Sequence, residues 1–370
     1  MLKLTFLGTS AGVPTKQRNV TALAIECLNP YVSSANQQGS KSRPWLLIDC
    51  GEGTQQQLLH TKLSLHQLAA ICITHVHGDH CYGLPGLLAS ASMSGRSAPL
   101  TLIAPKAIAT LLDAIKLTTE LHFSFDIDFI AIEDVLNTQV GKVDIALNDQ
   151  HNLSIDMTLL SHRVSSYGFG ITQHINRRTL NIAKLITAGI PASSLWGQLQ
   201  QGKDVTTDDG RQLRSVDYVD NENQRTRIVV AGDNDTPELL SKAVVDADLL
   251  VHEATYTTDI LNKIQAKNLD FDPMHSSAYL VGKFAQSSSV KNLILTHFSA
   301  RYQSFENLSS STPNMAHIRA DAQSIYEGNL WLAADFAQYV VNGAIDSNSN
   351  QNNERVQYVG FARNDIVEPK

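Results

Sequence analysis

One run of six residues, HVHGDH at 75–80, brings three imidazoles and a carboxylate together on the chain. It follows an apolar segment at 68–73, which the pattern predicts to be a buried strand. Histidines beyond the end of a strand have no apolar surface to bury, and crowded imidazoles disfavour protonation, so packing does not explain them. Neutral imidazole and carboxylate together suit zinc, manganese or iron, so the run predicts a metal site.

The spacing within this run favours two ions over one. His75 and His77 lie two residues apart and can converge on one ion, whereas Asp79 and His80 come from the following turn and point elsewhere. Because so short a loop cannot easily give all four side chains to one ion, we predict two neighbouring ions. A polar loop with coincidental histidines is the alternative interpretation.

A two-ion centre needs more ligands, and they are expected at the ends of other apolar runs. Three polar residues occupy such positions: His162, Asp233 and His297. A glycine precedes Asp233 and lets the backbone turn so that the carboxylate is presented. A single histidine at a strand end is usually an ordinary polar group, but three such residues beside a four-ligand loop predict one shared centre.

Short apolar runs alternate with helical patterns along the chain, which is typical of layered α/β architecture with polar chemistry at the strand ends. Strands are predicted at 2–7, 45–48, 68–73, 100–104, 155–160, 227–231, 248–251 and 292–295, and helices at 84–93, 106–117, 180–186, 237–245 and 276–286. Two polar stretches, 30–44 and 346–354, predict an inserted loop and a linker, so the last sixteen residues are expected to form a loosely attached tail.

The composition is that of an ordinary globular chain, with 43% apolar and 18% charged residues. The four cysteines form no CxxC pair, which favours reduced thiols and a cytoplasmic location. No apolar run approaches the ~18 residues of a membrane span, and the first residues do not have the pattern of a secretory signal.

The net charge of −7 argues weakly against a nucleic-acid partner, but the charge is unevenly distributed. Residues 163–203 contain five basic side chains and no Asp or Glu. A locally basic segment on an acidic body is what a phosphate-binding arm would need. An ordinary solvated loop that happens to lack acids is the alternative, and composition alone does not separate the two.

The order HVHGDH, a later His, a Gly-Asp at a strand end and a final THF resembles the metallo-β-lactamase superfamily. Finer motifs are similar to those of the tRNase Z (RNase Z) family of tRNA 3′-processing endonucleases. These motifs are FLGT at 6–9, PTKQRN at 14–19, DCGE at 49–52, SYG at 166–168 after His162, HEAT at 252–255, HS at 275–276 and LTH at 295–297. The resemblance covers about residues 1–342.

This resemblance implies a four-layer αββα sandwich with an inserted arm. The catalytic domain would span residues 1–345, the basic tRNA-binding arm about 170–203, and the linker with its tail 346–370. Two zinc ions are implied, with manganese or iron as possible substitutes. His75, His77 and His162 would bind one ion, Asp79, His80 and His297 the other, and Asp233 would bridge them, while Asp49 would support the site without being a primary ligand.

The resemblance also assigns the proton transfers of phosphodiester hydrolysis. His275 would protonate the departing ribose oxygen, Glu253 would orient it and raise its pKa, and Asp79 would also steer the proton of the nucleophile. The alternative for His275 is a cap at the start of a helix, but Ser276 can serve as that cap.

Substrate contacts follow from the same resemblance. Arg177, Arg178 and Lys184 in the arm would contact phosphates at the tRNA elbow, and Lys16 and Arg18 would contact its acceptor end. Cleavage after the discriminator nucleotide would leave a 3′-hydroxyl on the tRNA, and a homodimer would present each tRNA from one subunit's arm to the other's site. The arm reads Gly-Ile-Pro at 189–191 where related arms carry Gly-Pro. A small-molecule phosphodiesterase or other hydrolase on this fold, and a non-catalytic RNA-binding relative, remain alternatives.

Overall fold

Two mixed eight-stranded sheets organise the chain in a computed structural model that describes residues 1–29, 43–148, 150–267, 272–345 and 355–363. The strands are β1 (Leu2–Gly8), β2 (Ser10–Ala11), β3 (Ala22–Cys27), β4 (Trp45–Ile48), β5 (Leu68–Cys72), β6 (Leu100–Ala104), β7 (Ile127–Ala131), β8 (Lys142–Asn148), β9 (His151–Leu160), β10 (Ser166–Leu180), β11 (Val205–Thr206), β12 (Gln212–Leu213), β13 (Val219–Val230), β14 (Leu249–Glu253), β15 (Asn292–Thr296), β16 (Phe298–Ser299), β17 (Asn329–Leu332), β18 (Ala337–Val341), β19 (Ala344–Ile345) and β20 (Val356–Phe361).

The helices lie mainly between strands of the parallel parts of the sheets. They are α1 (Thr54–Leu59), α2 (Gly78–Cys81), α3 (Leu84–Met93), α4 (Lys106–Thr119), α5 (Ile132–Leu136), α6 (Ile182–Thr187), α7 (Ser194–Gln200), α8 (Ser215–Tyr218), α9 (Thr258–Lys267), α10 (Ala278–Ser287) and α11 (Met315–Gln323), with 3-10 turns at Leu65–Gln67 and Pro237–Leu240. Among these described helices, none has the length and apolar character needed to cross a bilayer.

Each sheet is antiparallel in one half and parallel in the other. The first sheet has the order β20-β18-β1-β3-β4-β5-β6-β7, and its parallel part begins at β4. The second has the order β17-β15-β14-β13-β10-β9-β8, with β19 paired to β13, and it is parallel from β13 to β17. Polar residues that follow parallel strands meet at one edge of a sheet, which is where ligands usually bind in such folds.

Three apolar clusters define the layers. The central cluster takes side chains from both sheets, among them Phe6 and Ile25 from the first and Ile171 from the second, so the sheets pack face to face. A second cluster joins the outer face of the first sheet to α3 and α4, and a third joins the outer face of the second sheet to α10 and α11. The predicted four-layer αββα sandwich is therefore confirmed.

The arm is longer than predicted. β10 and β13 extend together as a ribbon, and the residues between them form a small core of their own: Leu185, Ile190, Leu199, Val205, Leu213 and Val219. The predicted end at residue 203 is wrong because this core takes side chains from as far along the chain as Val219. The run of polar and acidic residues after 203 hides that apolar pattern.

The charge of the complete arm also differs from the prediction. Residues 177–222 contain six Lys or Arg and six Asp or Glu, so their formal net charge is zero. Acidic side chains of the second half pair with arginines within the arm, as in Arg211–Asp209, Arg214–Asp217 and Arg177–Glu222. The arm as a folded unit is not basic, because acidic side chains, all of them at 204–222, balance its positive ones.

The end of the described chain is not a loose tail. β20 pairs antiparallel with β18 at the edge of the first sheet, and Val356 is 2% exposed within the central cluster. The prediction for residues 355–363 is wrong because burial alternates at the start of β20, where Val356 and Tyr358 pack on the central cluster while Gln357 and Val359 are exposed, the pattern of a strand with one buried face. The predicted linker at 346–354, residues 30–42 of the loop predicted at 30–44, and residues 364–370 lie outside the described residues.

Most other predicted elements are confirmed to within two residues, but the helix at 237–245 is wrong. A 3-10 turn at Pro237–Leu240 is followed only by further turns. Leu240, Ala243 and Val244 are nevertheless buried in the third cluster. Their helix-like spacing reflects burial, which a series of turns satisfies equally well.

The position of β20 predicts a contrast between two valines. Val356→Ala removes buried methyl groups and should lower the free energy of unfolding by about 1–3 kcal/mol. Val359, on the same strand, is 46% exposed, so Val359→Ala should change it by less than about 0.5 kcal/mol. Urea denaturation followed by circular dichroism measures both, and equal effects would contradict the placement of β20.

Candidate active site

Seven side chains from both sheets converge where parallel strands end, and together they offer two sets of metal-ligating atoms. The HVHGDH run follows β5. His162, Asp233 and His297 follow β9, β13 and β15. The backbone at His77 is extended and α2 begins immediately after it, so Asp79 and His80 turn away from His75 and His77. Because of this turn, one short run contributes ligands to both sets.

The first set consists of His75, His77, His162 and Asp233. Nδ1 of His77 lies 3.1 Å from Nε2 of His75 and 3.2 Å from Nε2 of His162. Oδ2 of Asp233 lies 3.7 and 3.6 Å from the same two Nε2 atoms. Four ligand atoms thus surround one point.

The second set consists of Asp79, His80 and His297, together with the other oxygen of Asp233. Oδ2 of Asp79 lies 3.5 Å from Nε2 of His80 and 3.4 Å from Nε2 of His297, and those two nitrogens are 3.2 Å apart. Oδ1 of Asp233 lies 3.4 Å from each of them. Asp233 therefore directs one oxygen to each set, as expected of a bridging carboxylate.

In four of the histidines, Nδ1 points away from the centre, and its hydrogen bond fixes the tautomer of the ring. Nδ1 of His80 donates to Asp49 at 2.7 Å, and Nδ1 of His162 donates to the Met274 carbonyl at 2.8 Å. Nδ1 of His75 and of His297 lie 3.0 Å from the hydroxyls of Thr74 and Thr255, which in turn donate to Asp49 and Glu253. Nε2 of each of these four histidines then presents a lone pair to the centre.

Facing lone pairs and carboxylates repel one another unless a cation lies between them. The 3.2 Å separation of the His80 and His297 Nε2 atoms and the nearby oxygens of Asp79 and Asp233 create that situation in a buried place. Imidazole and carboxylate are ligands that divalent transition metals accept. The residues present therefore fit metal ions, and the coarser part of the cofactor prediction, a metal-binding site, is confirmed.

The pKa directions differ among the ligands, because burial and the nearby carboxylates act in opposite senses. Burial, followed by the neighbouring imidazoles of His80 and His77, lowers the pKa of His75 well below its usual value, so His75 is in its neutral, ligating form. Burial alone would raise the pKa of Asp79, but the adjacent His297 and His80 side chains hold it well below its usual range. Burial opposes protonation of His80, but the carboxylates of Asp233 and Asp49 raise its pKa well above the usual value, so the acidic groups of the site attract positive charge, which a cation can supply.

The backbone around the centre is strained. Asp49, Met274 and His297 have φ angles of +58°, +55° and +57°, a region that non-glycine residues rarely occupy. Gly51, two residues after Asp49, has no room for a side chain, because a Cβ there would lie 2.3 Å from the carbonyl oxygen of Asp79. Strain of this kind persists where the surrounding structure fixes a site, so these positions mark the ligand cluster as the functional part of the fold.

His275 lies beside the two sets and is paired with Glu253. Its Nδ1 is 3.0 and 3.1 Å from the two carboxylate oxygens of Glu253 and 3.7 Å from Oδ2 of Asp233. Burial opposes protonation of His275, but the Glu253 carboxylate outweighs it and raises the pKa of the imidazole. His275 is thus held as a potential proton donor, with its Nε2 left for a substrate.

His275 and Asp233 also form a third group of possible ligands with His297. The expected helix cap is elsewhere. Ser277, not Ser276, caps α10 by accepting from the Leu280 N–H, while Ser276 donates to the Asn234 carbonyl. The prediction for Ser276 is wrong by one residue, but the structure still leaves His275 without a capping task.

The loop that carries PTKQRN is tied to the centre, because the Gly12 N–H donates to Oδ2 of Asp79 at 2.7 Å. Lys16 is exposed on this loop. Arg18, in contrast, is 5% exposed, and its guanidinium donates to the carbonyls of Tyr302 and Ser299. The expectation that Arg18 contacts substrate disagrees with this structure, because its side chain is buried and both terminal nitrogens of its guanidinium are directed at groups inside the protein.

The three arm residues expected to contact tRNA also differ in whether their side chains are already engaged within the protein. Lys184 is exposed on α6. Arg177 is exposed and lies 3.5 Å from Glu222, and Arg178 donates to the Gln201 carbonyl at 2.7 Å, which ties β10 to the end of α7. Of these three, Lys184 has the position best suited to a phosphate.

Sequence reasoning missed several residues that shape the site. Thr74 and Thr255 fix ligand tautomers; Thr74 directly precedes the HVHGDH run and Thr255 is the last residue of HEAT, but neither was assigned a role. Tyr256, which follows HEAT, has its ring centroid 6.1 Å from that of His275, and the Arg301 guanidinium lies 5.2 Å from the centroid of the Tyr256 ring. Arg301 has no signal other than its position four residues after His297.

The comparisons with known proteins agree with this site. The chain is 44% identical over 338 residues to the ribonuclease Z of Marinobacter nauticus, covering 91% of this chain and 96% of that protein. The fold is similar to that of the short form of human tRNase Z (TM-score 0.55, 23% identity, 91% of this chain and 98% of that one). It is equally similar to the metallo-β-lactamase fold protein YhfI from Bacillus subtilis (TM-score 0.55, 15% identity, 93% and 98%).

A family model described as anti-Pycsar protein Apyc1 matches residues 2–180, the part of the chain before the arm helices. Fold and site together define a metal-binding hydrolase of the metallo-β-lactamase fold. Within that class the chain belongs to the ribonuclease Z family, and it is an endoribonuclease, a phosphodiester hydrolase. The resemblance stated from the motifs is confirmed.

Asp49 provides a test of the ligand cluster that leaves every proposed ligand in place. Asp49→Ala removes the acceptor for His80 Nδ1 and for the Thr74 hydroxyl, so metal affinity should fall roughly 10- to 100-fold. Competition with a chromophoric chelator measures this affinity. Asp259→Ala, on the exposed surface of α9, should leave it unchanged, and equal losses in both variants would contradict the assignment.

Proposed function

We propose that this protein is a zinc-dependent endoribonuclease that removes the 3′ trailer from precursor tRNA and leaves a 3′-hydroxyl on the tRNA. The observation that carries the proposal is Asp233, which directs one carboxylate oxygen to each ligand set beside the His275–Glu253 pair. We infer two ions per subunit from the two sets. Zinc suits their imidazole-rich composition, and manganese or iron are the other metals that such ligands accept.

When bound, a pair of divalent cations lowers the pKa of water and stabilises the negative charge that develops on a phosphodiester during in-line displacement. The chain's own residues have separate roles in the reaction. The seven ligand side chains, which include the carboxylates of Asp79 and Asp233, lie in a largely buried site, where electrostatic interactions are stronger than in water. Asp79 would also steer the proton of the nucleophile in our proposal.

His275 completes the reaction by protonating the ribose oxygen that departs. The proton is held on Nε2, because Nδ1 is directed at Glu253. Glu253 is itself fixed, since it accepts from the Asn234 N–H at 2.7 Å and from the Thr255 hydroxyl. Burial would raise the pKa of Glu253, but His275 lowers it, so the carboxylate stays ionised and keeps the imidazole charged.

Substrate binding is proposed for the exposed cations. Lys184 would contact phosphates of the tRNA elbow through the arm, and Lys16 would contact the acceptor end near the centre. Arg177 and Arg178 are retained as weaker candidates because each already has a partner within the arm. We propose a homodimer in which the arm of one subunit presents tRNA to the other's site, and a cytoplasmic location, which the four free, buried cysteines support.

His275→Ala should slow single-turnover cleavage of a precursor tRNA about 10²- to 10⁴-fold, because the leaving oxygen loses its proton donor. Metal content, measured by mass spectrometry, should stay the same. His66→Ala, which changes an exposed histidine, is the control and should match the parent protein. A parallel loss of metal would show instead that His275 is a ligand in the group with Asp233 and His297.

The substrate class is tested by comparing a 3′-extended tRNA precursor with a small phosphodiester, each with and without chelator. We expect chelator-sensitive cleavage of the precursor at the discriminator nucleotide and much slower hydrolysis of the small ester. Preference for the small ester would favour a small-molecule phosphodiesterase, and binding of RNA without cleavage would favour a non-catalytic relative.

Lys184→Ala should weaken binding of full-length precursor tRNA several-fold and reduce the slope of log affinity against log salt by about one, because one phosphate contact is lost. Filter binding across a salt series measures both. Cleavage of a short acceptor-stem hairpin that lacks the elbow should not change. Lys283→Ala, an exposed lysine on α10, is the charge-matched control, and an equal effect there would argue against the arm contact.

A further inference from the structure

Asp335, between β17 and β18, is a buried carboxylate that none of the proposed roles uses. Its Oδ1 accepts from the Thr9 hydroxyl at 2.8 Å, and its Oδ2 accepts from the Asn19 N–H at 2.7 Å and from the Gln57 side-chain amide at 3.0 Å. The next residue, Phe336, has a φ angle of +67° and donates its N–H to a carbonyl of β1. Both the side chain and the backbone of this carboxylate are therefore fixed.

Two of these donors are the ends of one loop, residues 9–19, which includes the PTKQRN motif. The N–H groups of Thr9 and Ser10 donate to the Asn19 carbonyl at 3.0 and 2.9 Å, so the two ends lie side by side. Asp335 bonds to the side chain at the first end and to the backbone at the last. The carboxylate thus closes the base of the 9–19 loop.

The closed loop is bonded to the second ligand set at two points. The Gly12 N–H donates to Oδ2 of Asp79 at 2.7 Å, and the N–H of Phe298, the residue after His297, donates to the Thr9 carbonyl at 2.9 Å. Oδ2 of Asp79 is also the atom that lies 3.5 and 3.4 Å from the two histidine nitrogens of that set. A carboxylate oxygen has two lone pairs, so it can accept this N–H and bind a cation at the same time.

Packing contributes little to the position of Gly12. The residue is exposed, its φ angle is +70°, and a Cβ placed on it would meet no atom within 4 Å beyond its chain neighbours. Its N–H is therefore positioned by the base of the loop and by the short pairing of β2 with β16. The hydrogen bonds described for residues 9–19 include none to His75, His77 or His162, so a shift of the base would disturb the second set alone.

We propose that Asp335 is a positioning residue for the second ligand set: by closing the base of the 9–19 loop it holds the Gly12 N–H on Asp79, and so it strengthens metal binding at that set and not at the first. This proposal rests on the proposed function, since it requires one ion at each set. Hydrogen bonds that orient metal-ligating groups typically change metal affinity by about 10- to 100-fold.

The test is a zinc titration against a chromophoric chelator, which gives a dissociation constant for each ion. Asp335→Ala should raise one constant about tenfold and change the other by less than about twofold, because the first set keeps its contacts. Thr9→Val, which removes one donor, should have a smaller effect of the same kind, whereas Thr9→Ser keeps the hydroxyl and should bind like the parent protein. Asp248→Ala removes a half-buried carboxylate that accepts the Arg227 N–H at the far end of β14, and this control should leave both constants unchanged.

Two further measurements separate this role from a general loss of stability. Asp335→Ala should cleave precursor tRNA slowly at limiting zinc and recover the parent kcat at saturating zinc. In a His162→Ala background, which lacks a ligand of the first set, Asp335→Ala should weaken the remaining ion about tenfold.

Equal weakening of both ions would show that Asp335 supports the fold as a whole and would overturn the proposal, and so would two unchanged constants. If Asp335→Ala does not fold, the Thr9→Val and Thr9→Ser pair decides between the same outcomes. A parent protein that binds fewer than two ions would contradict the two-ion part of the proposed function, and that result is distinct from a parent with two ions whose constants change together.

Discussion

Lone pairs that face one another in a buried place impose the main constraint on this protein. Nε2 of His80 and of His297 lie 3.2 Å apart, and Asp233 directs its two carboxylate oxygens toward opposite sets of imidazoles. Such an arrangement is unfavourable without cations, so the surroundings must hold it in place. Threonine hydroxyls, Asp49 and three residues with positive φ do so, which explains why polar side chains and strained backbone are concentrated at one edge of two otherwise apolar sheets.

The layered architecture follows from the same requirement. Ligands that are far apart in the sequence can be brought within a few ångströms of one another only if several strands end together. The parallel halves of both sheets provide those ends, and the central apolar cluster holds the two sheets in register. The helices on the outer faces cover the remaining apolar surface. The packing of the fold thus positions groups that would otherwise repel one another.

The HVHGDH run and the strand-end positions of His162, Asp233 and His297 were sufficient to predict which side chains meet, because strands that run in the same direction end at the same edge of a sheet, and β9 runs in the direction of β13 although it is antiparallel to its neighbours. The hydrogen bonds that fix them were less predictable, since Thr74 and Thr255 are common residues whose role depends on tertiary contacts. Arg18 shows a similar limit, because a motif does not reveal that its guanidinium is directed into the protein. The end of the arm at Val219 and strand β20 depend on apolar residues that are thinly spaced among polar ones.

The ribbon of β10 and β13 connects the arm directly to the ligand cluster. β10 begins four residues after His162, β13 ends three residues before Asp233, and their pairing runs from Phe169–Val230 to Leu180–Val219 without a register shift. The paired part of the ribbon is roughly 40 Å long, and this length determines how far the tip of the arm lies from the bridging carboxylate. Because side chains alternate along strands, an insertion or deletion of two residues in each strand would keep the same face of the arm toward the substrate, whereas a change of one residue would reverse the two faces.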